Sequence, residues 1–272
     1  MSGRIAVCAA GFGGGMECSM KLIRHIFKEK EYYGEVVNDE VHQLTGSLEG
    51  GLVKTGISYK LDDVRLLSPV KPSKIICVGL NYLDHIIESN EVIPEAPVVF
   101  MKPPTAVIAA GEGIQYPKQS KRVDYEGELA VIIGKRTCKV SEEDAENYIL
   151  GYTCANDVTA RDLQTPNGQW IIAKGFDTFL PLGPCITTDI NPNDLEIRTL
   201  LNDRIVQASN TRQLLFKPQM LVSFISSIMT LMPGDVILTG TTSGIGPMKA
   251  GDKVVVEIEQ IGRLENHIEK IG

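Results

Sequence analysis

Short runs in which apolar and polar residues alternate dominate this chain, and they predict strands far more often than helices. Between residues 20 and 70, runs such as EYYGEVV and GISYKL are broken by Gly and Asp, which predicts a small β-rich unit. Pro69 and Pro72 bracket a joint, and KIICVG then reads as a buried strand. Asn81-Tyr82-Leu83-Asp84-His85 opens a helix that Pro94 and Pro97 close. VVFMK begins a further series of short strands.

In RVDYEGELAVIIG, residues 122–134, Leu129, Val131 and Ile133 fall on one face of a strand, with Ala130 and Ile132 on the other. The second face continues backwards into Glu128, Glu126 and Asp124, and three carboxylates on one side repel one another. EEDAENYI predicts a helix over 142–149 capped by Ser141, GYTCAND a strand, and VTARDLQ a short helix. Asn202-Asp203 suits a hairpin turn, and KPQMLVSFISSIMTLM an amphipathic helix with Pro218 in its first turn. GDVILTG and DKVVVEIEQIG are two more strands, joined by TTSGIGPMKAG. No regular β-α-β alternation exists, so the expectation is an α+β fold with a folded sheet core over residues 71–272.

Residues 1–19, MSGRIAVCAAGFGGGMECS, imitate the glycine-rich opening of a nucleotide-binding fold. Such a turn matters only where a helix N-terminus follows to receive a phosphate, and here Met20 opens strand-like alternation instead. The expectation is a flexible extension, with the folded part starting at Met20.

Composition narrows the function classes. Hydrophobic residues make up 43% of the 272 and charged residues 22%, enough for a sizeable core. The net charge of -7, without a basic cluster, argues against a nucleic-acid partner. No apolar run reaches membrane-spanning length, which argues against a membrane protein. The six cysteines are scattered without a C-x-x-C pair, and Cys77, Cys154 and Cys185 read as buried thiols. A cytoplasmic location is the expectation.

The chemistry gathers around the acidic strand. Glu126 and Glu128 are two apart and point one way, and Asp157 ends GYTCAND, where a side chain projects from a sheet's end. Three convergent carboxylates suit Mg²⁺ or Mn²⁺, and no histidine or cysteine lies near enough in sequence to suggest zinc. The competing reading is an exposed strand face paired by Lys121 and Arg122. Asp157, Arg161 and Gln164 are spaced to share a helix face, on which Arg161 either serves a site or merely pairs with Asp157. Lys174 sits in an apolar stretch, where an ammonium requires an anionic partner. His85 and Glu88 stand one helical turn apart, as a base with its orienting carboxylate or as a surface contact.

Five blocks in order, GLNYLDHIIE, DYEGELAVIIG, ANDVTARDLQ, AKGFDTFLPLGP and GDVILTGTTSGIG, resemble the signature blocks of the fumarylacetoacetate hydrolase family, over roughly residues 74–268. The resemblance implies a mixed β-sandwich roll, a homodimer, and a divalent metal, Mg²⁺ or Mn²⁺, held by Glu126, Glu128 and Asp157. It makes His85 and Glu88 a water-activating dyad on a mobile lid over residues 81–96. Arg161, Gln164 and Lys174 would contact the substrate or order the metal's surroundings, with Thr241 closing the site. Two departures stand out: Thr242 where many members have proline, and Asn81 where the largest members carry another carboxylate. The implied reaction is hydrolysis of a carbon–carbon bond in an acylpyruvate-like or fumarylpyruvate-like 2-oxo acid, with His85 drawing the proton from water and Lys174 neutralising an oxyanion. The alternative is an isomerase, decarboxylase or tautomerase of a related diacid, and a non-catalytic metal-dependent binding protein is the reading of another class.

Overall fold

In the computed structural model, residues 19–165 and 169–270 are described. The expectation of a flexible extension therefore lies, save for Ser19, outside the described residues. The mixed β-sandwich roll is the architecture, with few helices.

The large sheet begins as a meander of the strands Lys21–Phe27, Lys30–Val37, Glu40–Ser47 and Gly51–Lys60. Its first strand also pairs with Leu180–Thr187, so the sheet runs on without a break into the remainder of the chain. Beyond lie Ile149–Asn156, Gly127–Ile133, Val236–Thr241, Ile75–Gly79 and, at the edge, Val98–Lys102. The pairing of Val236–Thr241 with Ile75–Gly79 is parallel, whereas its pairing with Gly127–Ile133 is antiparallel. A second sheet holds Arg204–Asn210, Glu196–Leu201, Lys253–Ile258, Gly262–Lys270 and Gly113–Tyr116.

Both faces of the central strands are covered, which is why GELAVII reads as a continuous apolar run from Leu129 onward. Leu129, Val131 and Ile133 pack with Val256, Ile258 and the helix residues Leu221, Val222 and Ile225. Ala130 and Ile132 face the other way, onto Ile75, Cys77, Leu182 and Leu238. The alternation read from the sequence is thus the division between two cores. The helix is Pro218–Ile228, with proline at its start as expected, and Asn202 and Asp203 both take positive φ in a tight hairpin turn. Cys77, Cys154 and Cys185 are buried, as expected.

Two expected helices are not α-helices. Over 142–149, Ser141 Oγ accepts the Asp144 N–H, but only a 3-10 turn, Ala145–Tyr148, follows, because Ile149 already starts a strand. In VTARDLQ, Thr159–Ala160 pairs with the strand Val123–Tyr125, which leaves room for one 3-10 turn at Arg161–Leu163. The acidic strand is likewise not continuous. Val123–Tyr125 belongs to a small three-stranded sheet, Gly127–Ile133 belongs to the large one, and the chain changes sheet at Glu126. That crossing places Glu126 beside the end of Ile149–Asn156, where its N–H donates to Asn156 Oδ1 and its carbonyl accepts from Asp157 N–H.

Candidate metal centre

Because the chain crosses between sheets at Glu126, the three carboxylates of DYEGE do not stack. Asp124 turns away and is held by Arg122, at 2.9 and 3.1 Å, and by Arg161 Nε at 2.9 Å. Glu126 and Glu128 instead converge with Asp157: one oxygen of each lies within 4.8 Å of the others, and all three side chains are buried. The exposed, salt-bridged strand face is thereby excluded for these residues, and Lys121 pairs with none of them.

Cations surround the triad. Lys174 Nζ lies 2.7 Å from Glu126 Oε2 and 2.7 Å from Asp157 Oδ2, and its ammonium also sits 5.1 Å above the Phe100 ring. Burial alone would lower the Lys174 pKa, but Asp157 and Glu126 hold it above the ordinary lysine value. Lys102, at the end of VVFMK, donates to Asp157 Oδ1 at 2.5 Å and to the Val158 carbonyl at 3.0 Å. It is as buried as Lys174, and the sequence reading missed it. A lysine closing an apolar strand raises the same question as Lys174 did, and that was its signal.

Arg161 donates to Asp124, Glu126 and Gln164 Oε1, not to Asp157. The helix face expected to join Asp157, Arg161 and Gln164 does not form, because Thr159–Ala160 is extended. Gln164 still meets Arg161 at 2.6 Å, so its amide N–H groups are what it offers to the neighbouring hollow. Although burial opposes it, Lys174 and Arg161 bring the Glu126 carboxyl down to about 2.

Glu128 is different. Asp124, Glu126 and Asp157 each meet a cation, whereas among the described residues Glu128 accepts only the Gly240 N–H, at 2.7 Å. Burial first, and then the charges of Asp157 and Glu126, push its pKa well above the ordinary carboxylate range. The backbone makes this contact through a bulge opposite Glu128 in the strand Val236–Thr241, where Gly240 takes φ +100°. Any side chain there would be strained, and its Cβ would press on Asn81 and the Val78 carbonyl at 3.0 and 3.1 Å. A buried carboxylate without a cation, beside two others, is the donor set a hard divalent ion completes. The triad fits a divalent metal ion.

Above the triad lies a cavity of about 600 Å³, lined among others by His85, Gln164, Trp170, Lys174 and Thr241. Thr241 Oγ donates to the Gly127 carbonyl and accepts from Gln207, so its hydroxyl is engaged within the protein. Trp170 stands edge-on to Phe100, with ring centroids 5.1 Å apart, and closes one wall. His85 reaches the cavity from the helix Leu83–Ser89. Its Nδ1 is 3.8 Å from Glu88 Oε2, an ion-pair distance rather than a hydrogen bond, and it has no hydrogen-bond partner among the described residues. Glu88 spends Oε2 on the Gly244 N–H, at 2.9 Å. Asn81 is a clamp: its amide donates to the Phe216 and Thr239 carbonyls and accepts the Phe216 N–H. Its side chain is therefore engaged away from the triad.

Residues 74–269 match the model of the fumarylacetoacetate (FAA) hydrolase C-terminal family, and residues 20–69 match an Rv2993c-like N-terminal model. The chain is 44% identical over 219 residues to oxaloacetate tautomerase fahd2, mitochondrial, of Xenopus laevis, covering 76% of this chain and 69% of that one. The solved structure of 5-carboxymethyl-2-hydroxymuconate delta-isomerase from Mycobacterium smegmatis superposes with a TM-score of 0.87 at 44% identity, over 93% of this chain and 100% of the other. Maleylpyruvate hydrolase from Sphingobium sp. SYK-6, solved with manganese(II) and pyruvate, gives a TM-score of 0.78 at 28% identity, with coverage of 93% and 100%. The carboxylate triad at the sheet crossing, the roll that builds it and the match over residues 74–269 place the chain in the fumarylacetoacetate hydrolase family.

Proposed function

We propose that this chain is a divalent-metal-dependent enzyme that interconverts the enol and keto forms of a short 2-oxo diacid, as a tautomerase or isomerase. The observation that carries the reading is Glu128, buried beside Glu126 and Asp157 with no ion pair among the described residues, at the floor of a cavity large enough for such an acid. Glu126, Glu128 and Asp157 would hold Mg²⁺ or Mn²⁺. When bound, that ion supplies electron withdrawal from a chelating carboxylate and 2-oxo oxygen, which lowers the cost of an enolate.

The remaining work falls to the chain's own side chains. Lys174 holds Glu126 and Asp157 in place, and Lys102 holds Asp157 from its other oxygen. Gln164, its oxygen tied to Arg161, presents its N–H groups for a distal carboxylate. Trp170 and Phe100 exclude water from one side. His85, which lines the cavity, carries a proton between the carbon beside the carbonyl and the enol oxygen.

Hydrolysis of an acylpyruvate, first in order on the sequence alone, is the second reading. It is favoured by the nearness of Glu88 to His85, which a water-activating dyad requires. It stands second because Glu88 is engaged by Gly244 and is not hydrogen-bonded to His85. The tautomerase and isomerase relatives, at 44% identity, also stand nearer than the hydrolase at 28%. Among the described residues, no helix is long and apolar enough to cross a membrane.

The test is a metal-dependent assay on enol oxaloacetate, an unsaturated 2-hydroxy diacid and an acylpyruvate, following enol absorbance and pyruvate release separately. Enol loss accelerated by Mg²⁺ or Mn²⁺ without carbon–carbon cleavage is expected. Cleavage of the acylpyruvate with no acceleration of enol loss would reverse the order.

A further inference from the structure

Away from the triad, Arg24 presents a problem of its own. It lies on the strand Lys21–Phe27, opposite Tyr33 on one side and Leu67 on the other, and is only 8% exposed. Its Nε and Nη1 are buried and have no hydrogen-bond partner among the described residues. The nearby carboxylates are engaged elsewhere: Glu31 takes Lys71 Nζ at 3.1 and 2.8 Å, and Glu112 Oε2 accepts the Ala109 N–H at 2.8 Å. A buried guanidinium with two nitrogens lacking a hydrogen bond among the described residues is costly, and its planar fork matches a carboxylate.

Space for such a partner exists. Arg24 and Lys71 both line two adjoining hollows, of about 230 and 420 Å³. The smaller one combines them with Ser68 and an apolar wall that includes Leu67, Val70, Pro104, Val107 and Ile108. The larger has Glu31 and Glu49 on its wall, which repel an anion. A strongly hydrated dianion has no advantage in the smaller hollow, because its wall is apolar and Glu112 is close.

We propose that the smaller hollow is a second ligand site, which takes the carboxylate of a small organic acid on Arg24 and its short apolar body against Val70, Val107 and Ile108. The acid bridges the N-terminal meander to the segment that follows Lys102. It therefore ties the first strand to the part of the roll that supplies a cation to the triad.

The test uses the full chain, kept metal-free with a chelator, and the probes butyrate, butyramide and inorganic phosphate at millimolar concentration. Calorimetry should give one saturable butyrate site, and butyrate should raise the melting temperature, while butyramide and phosphate do neither. Arg24→Met should abolish the butyrate response and retain metal-dependent turnover of the 2-oxo acid. Val107→Trp, which fills the hollow without touching the charge, should abolish it independently if Arg24→Met folds poorly. The proposal is overturned by an undiminished butyrate response in both variants, by equal binding of butyramide, by binding of phosphate alone, or by no saturable response in the parent chain.

Discussion

Glu88 Oε2 accepts the Gly244 N–H at 2.9 Å, which ties the helix Leu83–Ser89 to the loop after the strand Val236–Thr241. Asp84 Oδ2 makes a second tie, accepting from Ser209 Oγ at 2.6 Å. The carboxylate expected to orient His85 thus also fastens the helix that carries it. Glu88→Gln keeps an acceptor for Gly244 and should retain the closed helix, whereas Glu88→Ala should free it. Limited proteolysis within residues 81–96 should be faster in the alanine variant than in the glutamine variant, and a chelating oxalate should slow it. Equal cutting of the two variants would show that the hydrogen bond does not hold the helix.

His85→Ala should lower enol–keto conversion by about 10²–10⁴-fold, the usual contribution of a positioned proton carrier. Metal affinity should barely move, because His85 is outside the triad. Parental rates in steady-state assays would make the imidazole a bystander.

Lys102→Met removes one partner of a buried ion pair and leaves Asp157 with Lys174 alone. Unfolding in denaturant should show a loss smaller than the ~3–5 kcal/mol of a wholly uncompensated buried charge, because Lys174 still meets Asp157. Mn²⁺ should restore part of that loss by taking over the charge of Asp157. An unchanged midpoint without metal would mean that Lys102 contributes nothing to the site's cohesion.

The N-terminal meander should be acid-sensitive through His25. The side chain is fully buried, shares a hydrogen bond of 2.5 Å with Tyr59, and burial lowers its pKa from 6.5 to about 4. The unfolded chain therefore binds the proton more readily than the folded one. Stability from this group is complete above pH 6.5 and is lost as pH falls towards 4. At ~1.4 kcal/mol per unit, the loss is about 3.5 kcal/mol at most. His25→Gln, which keeps a partner for Tyr59, should flatten that part of the melting-temperature profile. A variant whose profile parallels the parent's would remove His25 from the account.

Much of the site was legible locally, because strand alternation reports faces directly. Leu129, Val131 and Ile133 separated from Ala130 and Ile132 as read, and Glu126, Glu128 and Asp157 converge. What stands opposite a face is set by pairing between distant segments, which local spacing does not carry. Lys102 reaches Asp157 because Val98–Lys102 is the edge strand beside Ile75–Gly79, itself paired in parallel with Val236–Thr241. Helical spacing leaves Arg161 either serving a site or pairing with Asp157, and strand pairing at Thr159–Ala160 sends it to Asp124 and Glu126 instead of Asp157. Asn81 looked like a vacant ligand position, and its role emerges only where Phe216 and Thr239 meet it.

The most direct test is a calorimetric titration of Mn²⁺ into the parent chain and into Glu128→Gln. Glutamine keeps the size and the Gly240 hydrogen bond but cannot supply the anionic oxygen that a metal ion needs, at the triad member with no ion pair among the described residues. The parent should bind one ion per chain, and the variant should bind it at least about 100-fold more weakly, a difference of ~2.7 kcal/mol. The metal-free variant should melt no lower than the metal-free parent. Equal Mn²⁺ affinity in the two proteins would contradict the metal centre and the chemistry proposed for it.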